Sequence, residues 1–426
     1  MTDHCEFGYG NVNCGHCYKT FFSVNCESCH NVTLSKDCVG CSDCFGCVGL
    51  RNKSNYIFNV PYTKEKYAAK LIELNLDSRK AFEECAKQAQ DFWLKFPVKF
   101  MQGLQNVNVL GDYLYNSKNA KYCWRARDIE DSKYCLNIFL GPVRDCYDYA
   151  NFGGGSELIY ESLVCGDQTS NIKFSWNCFG GAKNVEYSIF CQGASDVFGC
   201  VSARKKQYCI LNKQYTKKEY EELVPKIIQH MKDMPYIDKR GIVYGYGEFF
   251  PAELSLMPFN ISEAYELSPK TKEEAEALGF KWREEPRREY SATKQANDLP
   301  DMVKDTGEDI LNEVISCGHG EKCSEECTGA FRIVLRELKF LKQFNLPLPT
   351  LCPNCRHYSR LALRNVPRFF KRTCGCAGVN SQNGIYANVG KHFHGSKKCE
   401  VEFETSYAPD RPEIVYCEKC YQQEVY

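Results

Sequence analysis

Small and hydrophobic residues recur at short, regular intervals through the first half of the chain, not at helical spacing. Two series of cysteines repeat every twelve residues: Cys5, Cys17, Cys29 and Cys41, and then Cys14, Cys26 and Cys38. In residues 123–209 the interval loosens to nine to fifteen residues, and cysteines or aromatic residues occupy the recurring positions. Repeats this short predict a β-solenoid, in which each rung buries its face against the next rung.

A larger repeat contains part of this pattern. Residues 42–70 match residues 195–223, with 14 of 29 positions identical. Each copy leads into a helix-like stretch, YTKEKYAAKLIELN or YTKKEYEELVPKIIQHM, whose threonine is a suitable N-cap. The first 235 residues are therefore predicted to hold two copies of one unit, a solenoid closed by a helix.

The whole chain is predicted to be mainly β with helices. Two short-rung, β-solenoid-like, cysteine-rich units come first, and zinc-ribbon or treble-clef modules come last. The predicted segments are a cysteine-repeat unit with its helix at 1–100, a second such unit at 101–235, a connecting α/β region at 236–316, a zinc ribbon with a basic helix at 317–372, and a second zinc-binding module at 373–426.

Composition limits which kinds of bond the 28 cysteines are expected to form. The 54 basic and 54 acidic residues balance, so a charged partner would need a local patch. No apolar run is long enough to span a membrane, and the opening MTDHCEFGYG lacks the features of a signal peptide. These features favour the cytoplasm, where thiols stay reduced, and predict metal thiolates or buried free cysteines in place of disulfides.

The N-terminal cysteines form Cys-x-x-Cys pairs, in which two residues separate the cysteines, as zinc ligands often do. Two tetrahedral sets are predicted: Cys14, Cys17, Cys26 and Cys29, and then Cys38, Cys41, Cys44 and Cys47. Thiols that only line a narrow core are the alternative, with an iron–sulfur cluster as a third option. The internal repeat supports the core alternative for residues 123–209, because Cys41 and Cys44 correspond there to Ala194 and Val197.

The C-terminal third carries the strongest metal pattern. Cys352 and Cys355 form a Cys-Pro-x-Cys knuckle about 25 residues after a first group of cysteines. Two members of that group, Cys317, Cys323 and Cys327, are predicted to complete the site, with His319 as a bystander or substitute. A second site is predicted from Cys374, Cys376, Cys417 and Cys420, and His392, His394 and Cys399 are predicted to bind a second ion or to replace a cysteine.

The stretch from Cys327 to Arg356, with its FRI, NLPLP and CPNCR elements, resembles zinc-ribbon domains of the C-x-x-C … P-x-x-C-P-x-C-R type. The wider layout is similar to uncharacterised cysteine-rich bacterial proteins that end in such a domain. The resemblance covers most of the chain and implies zinc binding without a known activity. This chain departs from the simple ribbon in its Cys-x3-Cys spacing at 323 and 327 and in the additional Cys317.

A basic stripe follows the knuckle: Arg356, Arg360, Arg364, Arg368, Lys371 and Arg372. Interleaved aromatic residues would let it bind phosphates and stack on bases of single-stranded RNA or DNA, whereas a solvated helix face is the plain alternative. No phosphate loop, nucleophile elbow or His-Glu-x-x-His helix is present, so catalysis is not expected.

The predicted function is therefore a multidomain scaffold or adaptor that binds two to four zinc ions. Its predicted partner is a nucleic acid or, alternatively, a protein, with no membrane partner. An iron–sulfur redox protein is the other alternative.

Overall fold

The computed structural model describes residues 2–284, 290–320 and 326–425. Over these ranges the protein is a mixed α/β structure with many short strands, most of which belong to two parallel ladders. None of the helices in the described ranges has the length and apolar character that crossing a membrane requires.

In the first ladder, the parallel pairs join a strand to the strand twelve residues later in the chain. Its strands are β1 Thr2–Asp3, β2 Cys14–Gly15, β3 Tyr18–Phe21, β4 His30–Thr33, β5 Ser42–Phe45, β6 Ser54–Ile57 and β7 Val60–Pro61. Strands β3 to β6 are parallel and β7 is antiparallel. Thr20 lies opposite Val32, and Val32 lies opposite Cys44, so neighbouring strands are offset by twelve residues. The twelve-residue interval of the sequence is thus the pairing interval of the strands.

The backbone of this ladder turns sharply at every third residue. Asn13, His16, Lys19, Phe22 and Asn25 all have φ between 49° and 53°. This left-handed conformation is unusual outside glycine, and it recurs here without interruption. The residue after each one points inward and is at most 2 % exposed: Cys14, Cys17, Thr20, Ser23 and Cys26.

The narrow interior explains why cysteine and serine occupy the inward positions. The Cys14 thiol donates to the carbonyl of Val12 at 3.5 Å and to that of Ser23 at 3.4 Å. The Ser23 hydroxyl donates to the carbonyl of Phe21 at 3.0 Å, also two residues earlier. Small side chains therefore fill the interior, and their thiol and hydroxyl groups find acceptors in the carbonyls that face it.

The second ladder is longer and has a more aliphatic interior. After β8 Pro97–Lys99, its strands are β9 Gly103–Leu104, β10 Leu110–Tyr115, β11 Lys121–Arg127, β12 Ile129–Glu130, β13 Leu136–Leu140, β14 Val143–Arg144, β15 Tyr147–Gly153, β16 Ser156–Gly166, β17 Ser170–Lys173, β18 Lys183–Glu186, β19 Ser195–Phe198, β20 Gln207–Ile210 and β21 Lys213–Gln214. Ile172 lies opposite Val185, and Val185 lies opposite Val197. These side chains are fully buried, together with Cys178, Cys191 and other inward cysteines of the same core.

Each ladder ends in the same order of elements. The helices are α1 Lys64–Glu73, α2 Arg79–Trp93, α3 Lys217–Asp233, α4 Glu263–Leu267, α5 Lys272–Ala277, α6 Leu335–Phe344, α7 Pro353–Leu361 and α8 Glu418–Val425. Strands β5 to β7 and helix α1 begin 153 residues before β19 to β21 and α3. Thr63 caps α1 and Thr216 caps α3 through their side chains, as the sequence predicts.

The connecting region, residues 236–316, contains mostly short elements. Beyond α4 and α5 it holds β22 Tyr236–Ile237, β23 Val243–Tyr244, β24 Ile315–Ser316 and the 3-10 helices Ala252–Leu254, Phe259–Ile261, Ala296–Asp298, Val303–Asp305 and Glu308–Asn312. Glu263 on α4 accepts hydrogen bonds from Asn137 and Asn151 of the second ladder, at 2.5 and 2.9 Å. This region is therefore attached to the outside of that ladder.

The C-terminal region packs against both ladders. Its remaining strands are β25 Ala330–Phe331, β26 Phe370–Thr373, β27 Glu402–Thr405 and β28 Ile414–Tyr416. Phe21 of the first ladder contacts the rings of Phe340 and Phe344 on α6. Strand β28 pairs in parallel with β8, so residues 414–416 lie beside residues 97–99. In the sequence, residues 97–99 lie between the two ladders.

A buried carboxyl group ties the second ladder to the C-terminal region. Asp112 on β10 is 0 % exposed and accepts hydrogen bonds from the backbone of Gln102 and Tyr113, at 2.7 and 3.0 Å. Its other oxygen is hydrogen-bonded to the Ser406 hydroxyl, which in turn accepts from the Asn365 amide at 2.8 Å. Burial raises the pKa of Asp112 to about 7, against the opposing effect of these hydrogen bonds.

We expect Asp112→Asn to remove part of the pH dependence of stability. A carboxyl group with a raised folded-state pKa binds more protons when folded, so its contribution becomes less favourable as pH rises from about 4 to about 7. The free energy of unfolding of the variant, relative to that of the wild type, should therefore increase as pH rises through this window, by up to about 1.4 kcal/mol per pH unit. Hydrogen exchange of β10 and β27 between pH 5.5 and 8 measures the difference, and Asp233→Asn, at an exposed site on α3, is the control. Parallel pH profiles for wild type and Asp112→Asn would show that Asp112 stays ionised.

Candidate metal centres

Four cysteines from two separate parts of the chain meet at the first centre. Cys317 follows β24, Cys327 precedes β25, Cys352 caps α7, and Cys355 lies in the first turn of that helix. Their sulfur atoms all lie within 4.8 Å of one another. The Cys317 and Cys355 sulfurs are 3.7 Å apart, and those of Cys327 and Cys352 are 3.9 Å apart. Four sulfurs bound to one zinc ion at about 2.3 Å would lie about 3.8 Å apart, so the centre could hold a metal ion.

Backbone N–H groups surround the sulfurs of this centre. The N–H of Cys352 donates to the Cys317 sulfur at 3.3 Å, and that of Gly329 donates to the Cys327 sulfur at 3.4 Å. Pro353 starts α7, and the N–H of Cys355 donates to the Cys352 sulfur at 3.5 Å. Although burial raises it, the pKa of Cys352 falls to about 6 through these hydrogen bonds and those of nearby Thr328. The local hydrogen bonds thus favour the thiolate of Cys352, the form that binds metal, whereas burial raises the pKa of Cys327 to about 11.

The second centre is formed by four buried cysteines: Cys374, Cys399, Cys417 and Cys420. Cys374 follows β26, Cys417 follows β28, and Cys420 lies on α8, so the strands and the helix bring the sulfurs together. The Cys399 and Cys417 sulfurs are 4.0 Å apart, and the N–H of Cys417 donates to the Cys374 sulfur at 3.2 Å. Hydrogen bonding with the Cys374 thiol lowers the pKa of Cys417 to about 5, against the effect of burial.

The third centre joins two cysteines and two histidines: Cys376, His392, His394 and Cys420. The Cys376 sulfur lies 3.2 Å from His392 Nδ1, and the Cys420 sulfur lies 3.2 Å from His394 Nε2. A zinc ion with bonds of about 2.1 Å to nitrogen and 2.3 Å to sulfur would separate such a pair by about 3.6 Å. This centre could also hold a metal ion.

The remaining nitrogen of each histidine is held by a hydrogen-bond acceptor. His394 Nδ1 lies 2.7 Å from the carbonyl of Lys397, which can only accept, so this nitrogen carries the proton. His392 Nε2 lies 2.9 Å from the carboxylate of Glu424 on α8. The N–H groups of Val389 and Gly390 also donate to Glu424 and keep its pKa low despite burial. Both rings are therefore fixed with a lone pair facing the cysteine sulfurs, as metal-binding histidines usually are.

Cys399 and the two histidines lie where one of the predicted alternatives put them, in place of a cysteine and in a second group, whereas Cys376 lies elsewhere than predicted. Cys376 does not share a group with Cys374 in the structure, and Cys399 takes its place beside Cys417. Cys323 lies outside the described residues, and Cys317 and Cys327 together provide the first half of the first centre. His319 is exposed and does not belong to any of the three groups found in the described part of the chain.

The eight N-terminal cysteines predicted as ligands line the interior of the first ladder. They are Cys14, Cys17, Cys26, Cys29, Cys38, Cys41, Cys44 and Cys47, each at most 2 % exposed. Their thiols donate to backbone carbonyls, as the Cys26 thiol does to Val24 and Ser35. Within the described ranges, metal-type groups with ligand atoms inside 4.8 Å occur at the three C-terminal centres, and the structure does not bring these eight thiols into such a group.

The basic stripe is turned largely toward the protein. Arg356 donates to the Tyr9 hydroxyl of the first ladder at 2.8 Å and to the Glu337 carboxylate of α6 at 2.5 Å. Arg360, Arg364 and Arg372 are half-buried, and Arg372 donates to the carbonyl of Ala408 at 3.0 Å. Arg368 and Lys371 are the exposed members of the stripe.

Residues that support the centres were harder to find from the sequence than the ligands themselves. Glu424 was missed, although it lies four residues after Cys420 and therefore on the same side of helix α8. Asn388 was missed as well, and its amide donates to the Cys376 sulfur at 3.4 Å. The helical i,i+4 spacing pointed to Glu424, whereas nothing local pointed to Asn388.

Comparisons with known proteins add no family to this description. No protein-family model matches the chain, and a search of curated proteins gave no significant match. The clusters of cysteine and histidine near the C-terminus are consistent with a zinc-ribbon-like region.

Proposed function

We propose that this protein is a zinc-binding scaffold, in which metal ions hold the C-terminal region folded against two rigid ladders. The observation that carries the proposal is the convergence of eleven cysteine and histidine ligands, nearly all buried, into three compact groups. Buried thiolates and imidazoles without a cation would leave charge or hydrogen-bonding capacity unsatisfied, and a divalent ion resolves both.

Zinc fits the ligand sets better than an iron–sulfur cluster does. Sulfur atoms 3.7 to 4.0 Å apart match the edges of a tetrahedron around a single ion. The ligands of a cluster sit on different iron atoms, with inorganic sulfide between them, and so lie farther apart. Zinc also accepts the mixed cysteine and histidine set of the third centre without any redox chemistry.

The two ladders are proposed to be short β-solenoids that arose by duplication. Their supporting features are the inward residues at every third position and the 153-residue offset shared by strands β5 to β7 and β19 to β21. With the segments predicted at 1–100, 101–235, 236–316, 317–372 and 373–426, the solenoids would provide stiff bodies and the zinc modules would join them.

The proposed role is structural, without catalysis, because each of the three groups offers four protein ligands, which would fill the coordination of a zinc ion bound there. The cytoplasm is the proposed compartment, since metal ligation and thiol packing both require reduced cysteines. A protein is the partner we favour for such a scaffold. Nucleic-acid binding stays a prediction with less support, because Arg356 is already engaged by Tyr9 and Glu337.

Metal analysis of the full chain tests this proposal. Protein purified without added metal should contain zinc and be colourless, and Cys355→Ser should lower the zinc content by one ion per chain. The control is Cys165→Ser, which alters a fully buried ladder cysteine that belongs to none of the three groups. Iron with visible absorbance, or full-length folded protein that binds no metal, would contradict a zinc scaffold.

A further inference from the structure

Cys420 belongs to both the second and the third centre. Its sulfur lies within 4.8 Å of the sulfurs of Cys374, Cys399 and Cys417, and equally within 4.8 Å of the ligand atoms of Cys376, His392 and His394. The side chain lies in the first turn of α8 and is fully buried. The two groups are therefore neighbours that meet at one sulfur atom.

The number of ligands points to sharing of this sulfur. Two four-coordinate ions need eight ligand positions, and the two groups together contain seven residues. A thiolate sulfur can bind two ions at once, so one bridging cysteine makes seven residues sufficient. If Cys420 served the second centre alone, the ion at Cys376, His392 and His394 would have three protein ligands and one open position.

The orientation of the two histidines supports the third group as a separate metal site. The Lys397 carbonyl and the Glu424 carboxylate hold the outer nitrogens of His394 and His392, at 2.7 and 2.9 Å. The inner nitrogens then face the sulfurs of Cys420 and Cys376 at 3.2 Å each. Histidines that only filled space would not need both rings aimed at thiols.

Charge favours two ions over one in this set of ligands. A single zinc ion with four thiolates carries two negative charges, all of them buried here. Two zinc ions with five thiolates and two neutral imidazoles carry one negative charge over a larger volume. The N–H of Cys417 and the amide of Asn388 donate to sulfurs of this set and offset the remaining charge.

We propose that residues 374–420 form a binuclear zinc centre bridged by the Cys420 thiolate. The centre has five cysteines and two histidines, and its bridge lies on α8 one turn before Glu424, which holds His392. Helix α8 thereby joins both ions to the strands β26 and β28. The identity of the ions rests on the proposed zinc-binding function, and the bridge is tested separately from it.

Cadmium-113 NMR of the full chain, with cadmium exchanged for zinc, tests the bridge without any substitution. Three cadmium signals are expected per chain, one from the first centre and two from the binuclear centre. The latter two should be split by mutual cadmium–cadmium coupling through the shared sulfur. Bound cadmium whose signals show no mutual coupling, or two ions per chain in place of three, would overturn the bridge while leaving the proposed scaffold intact.

Metal content of Cys420→Ala gives a second, independent readout. The zinc content should fall from three ions per chain to one, because both ions of the binuclear centre lose a ligand. The control, Cys178→Ala, changes a fully buried ladder cysteine and should retain all three ions. A fall to two ions means that Cys420 serves one ion alone and refutes the bridge. Wild-type protein that binds no metal refutes the scaffold proposal itself.

Discussion

Replacing Cys352 by serine is expected to unfold the first metal centre and the elements around it. Cys352 is fully buried and contributes both a candidate ligand and the N-cap of α7. Small zinc modules gain on the order of 10 kcal/mol from metal binding, which exceeds what their own short cores supply. Hydrogen exchange should show loss of protection in β24, β25 and α7, together with the loss of one zinc ion per chain.

The same substitution in a ladder provides the matched control. Cys178 is also fully buried, and its thiol donates to the Trp176 carbonyl at 3.7 Å, an acceptor that a serine hydroxyl can also use. Cys178→Ser should therefore keep its zinc content and lose only about 1 kcal/mol of stability. If Cys352→Ser retained protection in α7, metal binding at the first centre would not be what folds this region.

Replacing Cys26 by leucine is expected to disrupt the first ladder. Cys26 is 0 % exposed, and the inward residues twelve positions away on either side are Cys14 and Cys38, also buried. A leucine adds volume to an interior filled by small side chains, and overpacking of this kind costs about 3 kcal/mol. Hydrogen exchange of β3, β4 and β5 should increase, while the C-terminal centres keep their metal.

Cys26→Ser separates packing from ligation at the same position. Ser23 and Ser35 already occupy inward positions of this ladder, and each hydroxyl donates to the carbonyl two residues earlier at 3.0 Å. A serine at position 26 should therefore lower the free energy of unfolding by about 1 kcal/mol and leave the zinc content unchanged. A drop in zinc content would instead support the metal sites predicted from the paired N-terminal cysteines.

The repeat interval of the ladders could be predicted from the sequence, but the backbone conformation could be predicted only in part. Cys17, Cys29 and Cys41 are spaced by the pairing interval of the strands, so a count of residues was enough. The left-handed residues that turn the chain include Phe22 and Tyr113, which seldom adopt this conformation by themselves. Many other left-handed positions are Asn, Asp or Gly, which adopt this conformation readily, so the sequence carries part of the signal, and the aromatic positions are the ones it does not reveal.

The same distinction applies to the candidate sites. Some ligand pairs are evident from neighbouring residues, and others depend on how distant parts of the chain pack together. Cys352 and Cys355 form one knuckle at the start of a helix, so their spacing alone predicts a shared ion. The pairing of Cys374 with Cys399, and of Cys376 with the two histidines, depends on how strands β26 and β28 and helix α8 come together. Cysteines two positions apart, Cys374 and Cys376, can therefore belong to different groups, which spacing cannot reveal.

The pairing of β8 with β28 has a consequence for how the chain is made. Residues 97–99 leave the ribosome long before residues 414–416, their only partner in that sheet within the described chain. At about 5–20 residues per second, the delay is roughly 15 to 60 s. During this time β8 has an unpaired edge next to a completed first ladder, and such edges promote association with other chains. Nascent chains that stop before residue 414 should therefore depend most on chaperones, even though their first ladder is already complete.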